Sequence, residues 1–140
     1  MSAAAAALAV ACVLHLTEHR SGRLLARLPV PGMPAEAVVA FEHSVLGTTV
    51  RDRYRFAPQA RLVEERFVGD GYGLPHTAGP GEQLLRDGTG WRLITDRPVH
   101  PLVVRPLPAT GMRLELGGRQ HRLADWTDQA ILITATGCMP

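Results

Sequence analysis

The fold is decided by residues 37–67, AVVAFEHSVLGTTVRDRYRFAPQARLVEERF, in which apolar and polar side chains alternate around two turn signals. Gly47-Thr48 and Pro58-Gln59 are residue pairs typical of tight turns. Turns centred on them give three antiparallel strands within 37–45, 50–56 and 61–68. Because successive side chains of a strand point to opposite faces, this register predicts one apolar face and one charged face.

The charged face and the apolar face both support this register. The opposite charges of Glu42, Arg53 and Glu64 fall in one cross-strand row, where each such pair stabilises by about 0.2–1 kcal/mol. A slip of one residue would destroy this row and the apolar face together. The apolar face carries Phe41, Val45, Val50, Tyr54, Phe56, Val63 and Phe67.

The same register places three ionisable side chains on the apolar face. His43 lies opposite Asp52, and Asp52 lies opposite Glu65. An unpaired charge is costly to bury, so this cluster needs a reason. It is either a structural cluster, in which protonated His43 bridges the two carboxylates, or a polar spot that binds a ligand inside an apolar cavity. If the second turn lies elsewhere, Glu65 points to solvent instead.

The rest of the chain also predicts short strands and turns. Six further strands are expected at 24–30, 91–95, 102–105, 112–116, 120–123 and 130–135, with Gly117-Gly118 as a hairpin turn. Residues 69–90 contain seven glycines and are expected to form a long loop, a kind of segment that is often functional. About nine short strands predict an all-β fold, an antiparallel β-sandwich or a small β-barrel.

The N-terminus is predicted to be a targeting segment. Residues 2–16, SAAAAALAVACVLHL, carry no charge. They match the apolar core of a signal peptide, about 7–15 residues, better than a membrane span of about 20. We therefore expect a hydrophobic targeting helix within 1–20, acting as signal peptide or membrane anchor, followed by a single β domain at 21–140.

The two cysteines are expected to be unrelated. Residues 9–12, AVAC, resemble a lipoprotein processing site, at which Cys12 would take the lipid. A disulfide between Cys12 and Cys138 is the alternative if both survive processing. Neither cysteine has the spacing of a metal site, and no metal is expected.

Composition and motifs exclude several function classes. The chain has fifteen arginines, no lysine and thirteen acidic residues, and its net charge of +2 is too weak to predict nucleic-acid binding. No nucleophile elbow, P-loop, zinc-protease helix or dinucleotide fingerprint is present, so we expect no catalytic residue, no cofactor and no enzymatic activity. Arg51, Arg53 and Arg55 alternate on the charged face, as a solvated surface or a docking surface for acidic lipid or protein.

Two stretches of sequence resemble a known family. Phe41, His43, Ser44 and Val45, followed by Thr48 and Val50, are similar to the first signature of the DUF1850 family. Gly71, Gly73, Leu74 and Pro75 are similar to its second signature, and the resemblance extends over residues 22–136. The chain departs from the pattern at Leu46, where the family usually has Glu, and at Asp52, which replaces Glu.

The resemblance implies a location and a partner. Members of this family are small, exported or membrane-anchored, and commonly encoded beside TRAP-type permeases of the TAXI class. They have no established activity. The chain is therefore expected on the periplasmic side of the envelope, attached to the membrane through its N-terminus, as a non-enzymatic accessory of the permease or its solute-binding protein. The alternative is a periplasmic small-ligand-binding β-barrel that uses His43, Asp52 and Glu65.

Overall fold

A computed structural model describes residues 12–139 as two antiparallel β-sheets. The smaller sheet has the strand order β2-β1-β11-β8, and the larger has the order β10-β9-β3-β4-β5-β7-β6. Two 3-10 turns, Pro108–Thr110 and Leu123–Asp125, complete the regular structure. The strands are β1 (Val13–Glu18), β2 (Leu24–Pro29), β3 (Glu36–Glu42), β4 (Thr49–Phe56), β5 (Ala60–Phe67), β6 (Gln83–Asp87), β7 (Gly90–Pro98), β8 (Leu102–Val104), β9 (Arg113–Leu116), β10 (Arg119–Arg122) and β11 (Ile131–Thr136).

The two sheets pack face to face and bury the main hydrophobic core between them. Leu14 of β1 and Ile131 of β11 are fully buried against inward side chains of the larger sheet, among them Phe56 and Leu114. The all-β prediction is confirmed. Over residues 12–139 each sheet ends in two edge strands, so the alternative of a closed barrel is wrong.

All nine predicted strands are present, and the structure adds β1 and β6. β1 occupies part of the segment that was predicted to be a targeting helix. Leu14 and Leu16 point into the core, whereas His15 and Thr17 alternate with them, which is the period of a strand and not of a helix. Residues 2–11 of the predicted helix lie outside the described residues. None of the helical segments between residues 12 and 139 has the length and hydrophobicity that a membrane-spanning helix needs.

A disulfide bond joins Cys12, just before β1, to Cys138, just after β11. Their Cα atoms are 4.5 Å apart, and the two residues are only 4% and 5% exposed. The expectation that the cysteines are unrelated is therefore wrong. A sulfur atom held in a disulfide cannot also carry a lipid, so the structure gives Cys12 a different role from the expected lipidation.

The predicted register of β3 on β4 is displaced by four residues. Phe41 lies opposite Val50 and Val39 lies opposite Asp52, because six residues, 43–48, connect the strands instead of a tight turn. An even displacement leaves every side chain on its predicted face. Residues near the turn differ from the prediction, since Val45 is 60% exposed and Glu42 faces Thr49 instead of Arg53.

The predicted register of β4 on β5 is correct over its central part. Asp52 lies opposite Glu65, and Arg53 lies opposite Glu64. Beyond Arg53 a β-bulge shifts the pairing by one residue, so that Tyr54 faces Leu62 and not Val63. Leu62 and Val63 are adjacent and both buried, as expected where one strand has an extra residue.

The disulfide is predicted to contribute to stability chiefly by restricting the unfolded chain. The linked cysteines are 126 residues apart, and a loop of this length is worth about 2–5 kcal/mol. We expect the double variant Cys12→Ala/Cys138→Ala to lose this amount in urea unfolding. Reduced wild-type protein is the control, and it should match the variant. Equal stability of the oxidised and reduced proteins would contradict the prediction.

Candidate functional site

The inner face of the larger sheet is wider than the smaller sheet that covers it. The uncovered part carries a second hydrophobic cluster of Val50, Phe67, Leu74 and Leu93. Leu74 comes from the loop between β5 and β6, residues 68–82, and Leu46 from the turn at 43–48 packs against the same cluster. The turn and the loop therefore cover this end of the sheet.

His43 connects this turn to the loop. Its Nδ1 accepts hydrogen bonds from the backbone N–H groups of Val45 and Leu46, both at 3.2 Å. Its Nε2 donates to the carbonyl oxygen of Tyr72 at 3.1 Å. Since Nδ1 accepts two hydrogen bonds, the imidazole is the neutral tautomer with its proton on Nε2. The Thr48 hydroxyl adds a second link by donating to the carbonyl of Val68 at 2.9 Å.

The two signature segments therefore form one structural unit. The turn at 43–48 and the loop around Gly71–Pro75 are far apart in the sequence but contact each other through these bonds. Gly69 shows how close the approach is. Its φ is +95°, and a Cβ atom there would lie 2.9 Å from Cδ1 of Leu46. Leu46, where the resemblance implies Glu, packs against apolar neighbours.

The structure brings together two of the three predicted cluster residues. Asp52 and Glu65 are cross-strand neighbours on the inner face, with Val39 beyond Asp52 and Leu93 beyond Glu65 in the same row. His43 is not part of this row. It lies past the end of β3 and bonds the loop, so the predicted bridge from an imidazole to two carboxylates does not form.

Asp52 is held in an environment that favours its neutral form. Burial, and then the adjacent carboxylate of Glu65, raise the pKa of Asp52 to about 8, although the charge of Arg97 and the hydroxyl of Tyr54 oppose the increase. The Oδ1 atom of Asp52 is buried and has no hydrogen-bond partner within residues 12–139. The same burial and the nearby carboxyl groups raise the pKa of Tyr54. These effects together favour the protonated form of Asp52 at neutral pH.

Arg97 lies near the Asp52–Glu65 pair and was not predicted from the sequence. Nε of Arg97 donates to Glu82 Oε2 at 3.0 Å, and Thr95 also donates to this carboxylate. Hydrogen bonds from Thr95 and from the Gly79 N–H lower the pKa of Glu82. The available signal was the alternation of Leu93, Thr95 and Arg97 along one strand, which places all three on one face.

A cleft of about 510 Å³ opens between the loop at 68–82 and β7. Leu93 and Arg97 form its β7 side, and the loop forms the other. Among residues 12–139, no group of three or more His, Cys, Asp or Glu side chains is arranged to hold a metal ion. The complete lining is Gly71, Gly73, Leu74, Pro75, His76, Thr77, Leu93 and Arg97.

The three predicted surface arginines lie on the outer face of the larger sheet, and each has an acidic partner. Arg51 donates to Glu115 at 2.8 Å, Arg53 to Glu64 at 3.2 Å, and Arg55 to Glu36 at 3.1 Å. Glu64 is almost fully buried and also pairs with Arg66 at 3.1 Å and Arg92 at 3.7 Å. One carboxylate thus serves three guanidinium groups.

The register brings like charges together on this outer face. Arg51 lies opposite Arg66, and Arg66 lies opposite Arg92, on strands about 4.8 Å apart. On the other side of Arg51, Ala40 separates it from Arg113. Like charges directly opposite each other destabilise a sheet. This arginine row (Arg113, Arg51, Arg66 and Arg92) was not apparent from Arg51, Arg53 and Arg55 alone, because it is formed across strands.

The raised pKa of Asp52 predicts a pH dependence of stability. Between about pH 4 and pH 8 the folded chain keeps a proton that the unfolded chain releases, so the free energy of unfolding falls as the pH rises. Asp52→Asn removes this titration and preserves the shape of the side chain. From pH 5 to pH 8 we expect wild type to lose about 1–3 kcal/mol more than the variant in urea unfolding.

Asp128→Asn is the matched control for that comparison. Asp128 is exposed, and its one side-chain hydrogen bond to residues 12–139 is with the neighbouring Gln129, so this variant should follow the wild-type pH profile. Parallel profiles for wild type and Asp52→Asn would show that Asp52 titrates normally.

His43→Ala is predicted to loosen the loop at 68–82. The variant loses two hydrogen bonds within the turn at 43–48 and one between the turn and the loop. We expect the free energy of unfolding to fall by about 1–3 kcal/mol. Amide hydrogen exchange should speed up in residues 69–77 before it does so in β4 or β5. His19→Ala, at an exposed position, is the control. Unchanged exchange in residues 69–77 would contradict the role given to His43.

Comparison with known proteins places the chain in a family. A search of curated proteins found no match, and neither did a search of solved structures. The family model described as a domain of unknown function, DUF1850, matches residues 38–123, which is more than half of the chain. The match spans both signature segments, the turn joined by His43 and the glycine-rich loop that it holds. The chain therefore belongs to the DUF1850 family.

Proposed function

We propose that this protein is an exported, non-enzymatic docking domain that assists a TRAP-type uptake system of the TAXI class. It acts by binding an acidic surface of the permease or of its solute-binding protein. The observation that carries the proposal is the arginine row on the outer face of the larger sheet. The partner itself is taken from the resemblance of the chain to its family.

The arginine row supports docking because it places four guanidinium groups on one face of the sheet. Adjacent Arg51, Arg66 and Arg92 repel one another, although Glu115 pairs with Arg51 and Glu64 is shared by Arg66 and Arg92. The side chains of Arg66 and Arg92 are 47% and 36% exposed. Guanidinium groups bind carboxylates in a bidentate manner, so an acidic partner would relieve the repulsion and gain hydrogen bonds.

The disulfide supports the proposed location. Disulfides persist in oxidising compartments such as the bacterial periplasm and are rare in the cytosol. The Cys12–Cys138 bond is therefore consistent with export. Attachment to the membrane through the N-terminus remains part of the proposal.

The proposal is tested by removing charge from the row without removing the side-chain stems. We expect Arg66→Gln/Arg92→Gln to bind the solute-binding protein or the permease about tenfold or more weakly than wild type, because complementary charge is lost. Binding is measured by recovery from detergent-solubilised native membranes, and then by titration with the purified partner at two salt concentrations.

The matched control is Arg27→Gln/Arg105→Gln, which removes the same charge from exposed positions near the smaller sheet. It should bind like wild type. Recovery of wild-type protein without permease or solute-binding protein would overturn the proposed partner. Equal binding by both double variants would overturn the proposed surface.

A further inference from the structure

We infer that the cleft between the loop at 68–82 and β7 binds a small organic carboxylate. Its volume of about 510 Å³ is that of an ordinary small-molecule site, for which about 300–1,000 Å³ is usual. The inference is independent of the docking proposal, because this cleft lies on the loop-covered inner side of the sheet and the arginine row lies on the outer face.

The polar lining of the cleft selects an anion. Among the residues that the structure describes, its polar side chains are those of Arg97, His76 and Thr77, and each of these can donate a hydrogen bond. Within residues 12–139, no carboxylate lines the cleft. Neither His76 nor Thr77 forms a side-chain hydrogen bond with any residue from 12 to 139, so their polar groups remain available to a ligand.

Arg97 is held in position by a bond that leaves its outer nitrogens available. Its hydrogen bonds to Glu82 and Thr95 are made by Nε alone. Glu82 is itself fixed, since it accepts a hydrogen bond from the Gly79 N–H at 2.9 Å. The two terminal nitrogens make no hydrogen bond within the part of the chain that the structure describes. A planar guanidinium fork of this kind matches the two oxygens of a carboxylate.

The apolar lining distinguishes an organic anion from an inorganic one. Leu74 and Leu93 are buried members of the second hydrophobic cluster, and Pro75 lies beside them at the cleft. These side chains offer contact to a short hydrocarbon chain but nothing to the oxygens of a free phosphate. A carboxylate at Arg97 with an apolar chain over Leu74 and Leu93 uses both parts of the lining.

The charges behind the cleft are consistent with an anionic ligand. Asp52 is near enough for its charge to interact with Arg97, but the raised pKa of Asp52 favours its neutral form at pH 7. Glu82 is paired with Arg97. Glu65 lies opposite Leu93 on the same inner face of the sheet, but its side chain is not among those that line the cleft. In its neutral form, Asp52 adds no negative charge near the cleft.

The test uses hexanoate, which combines a carboxylate with a short apolar chain. The full chain, labelled with ¹⁵N, is titrated at pH 7 with hexanoate, with hexan-1-ol and with inorganic phosphate. We expect saturable shifts at the amides of Gly71, Gly73 and Thr77 with hexanoate, and binding at least about tenfold weaker with the other two probes. Equal or tighter binding of hexan-1-ol would overturn the carboxylate, and equal or tighter binding of phosphate would overturn the apolar contribution.

Variants then assign the binding to Arg97. Arg97→Gln is expected to weaken hexanoate binding at least about tenfold, and Arg97→Lys to weaken it less, because the charge stays but the fork is lost. Arg105→Gln is the control and should bind like wild type. Thr77→Val, on the exposed loop, keeps the test valid if Arg97→Gln fails to fold, and it should weaken binding as well. Unchanged affinity in Arg97→Gln or in Thr77→Val would overturn the assignment.

Discussion

The structure depends on the pairing of β4 with β5, which fixes both faces of the larger sheet at once. On the outer face it sets Arg53 against the buried carboxylate of Glu64, and on the inner face it sets Asp52 against Glu65. A shift of one residue would bury arginines and expose Phe56 and Phe67. The positions of the arginine row, the second hydrophobic cluster and the cleft all follow from this one register.

The sequence predicts those parts of the fold in which neighbouring strands are joined by short connections. The hairpin of β4 and β5 has a short connection, so its central register and the Asp52–Glu65 pair could be derived. The connection of β3 to β4 could not be derived, because its six residues are held by a histidine that bonds a segment almost thirty residues away. The bulge at Val63 had a weak signal in the adjacent apolar residues Leu62 and Val63, which interrupt the alternation.

The ends of the domain and the cleft depend on contacts between distant residues. The strand pattern Leu14-His15-Leu16-Thr17 was hidden in an uncharged run that also fits a targeting segment. Only the pairing of β1 with β2 and β11 distinguishes a strand from a targeting segment here. Arg97 could not be linked to the glycine-rich loop from the sequence, because the loop folds back over β7 through Leu74. Burial of Leu74 in the second hydrophobic cluster holds the glycine-rich loop in place, so that the loop forms one wall of the cleft.

The disulfide has a mechanical consequence for the domain. With Cys12 bonded to Cys138, the residues between them form a covalent ring, and the chain enters and leaves the domain at a single point. Tension applied between the two termini would pass through the sulfur atoms and bypass the hydrogen bonds of both sheets. A pull between the two termini would therefore leave both sheets, and the arginine-bearing face with them, free of tension.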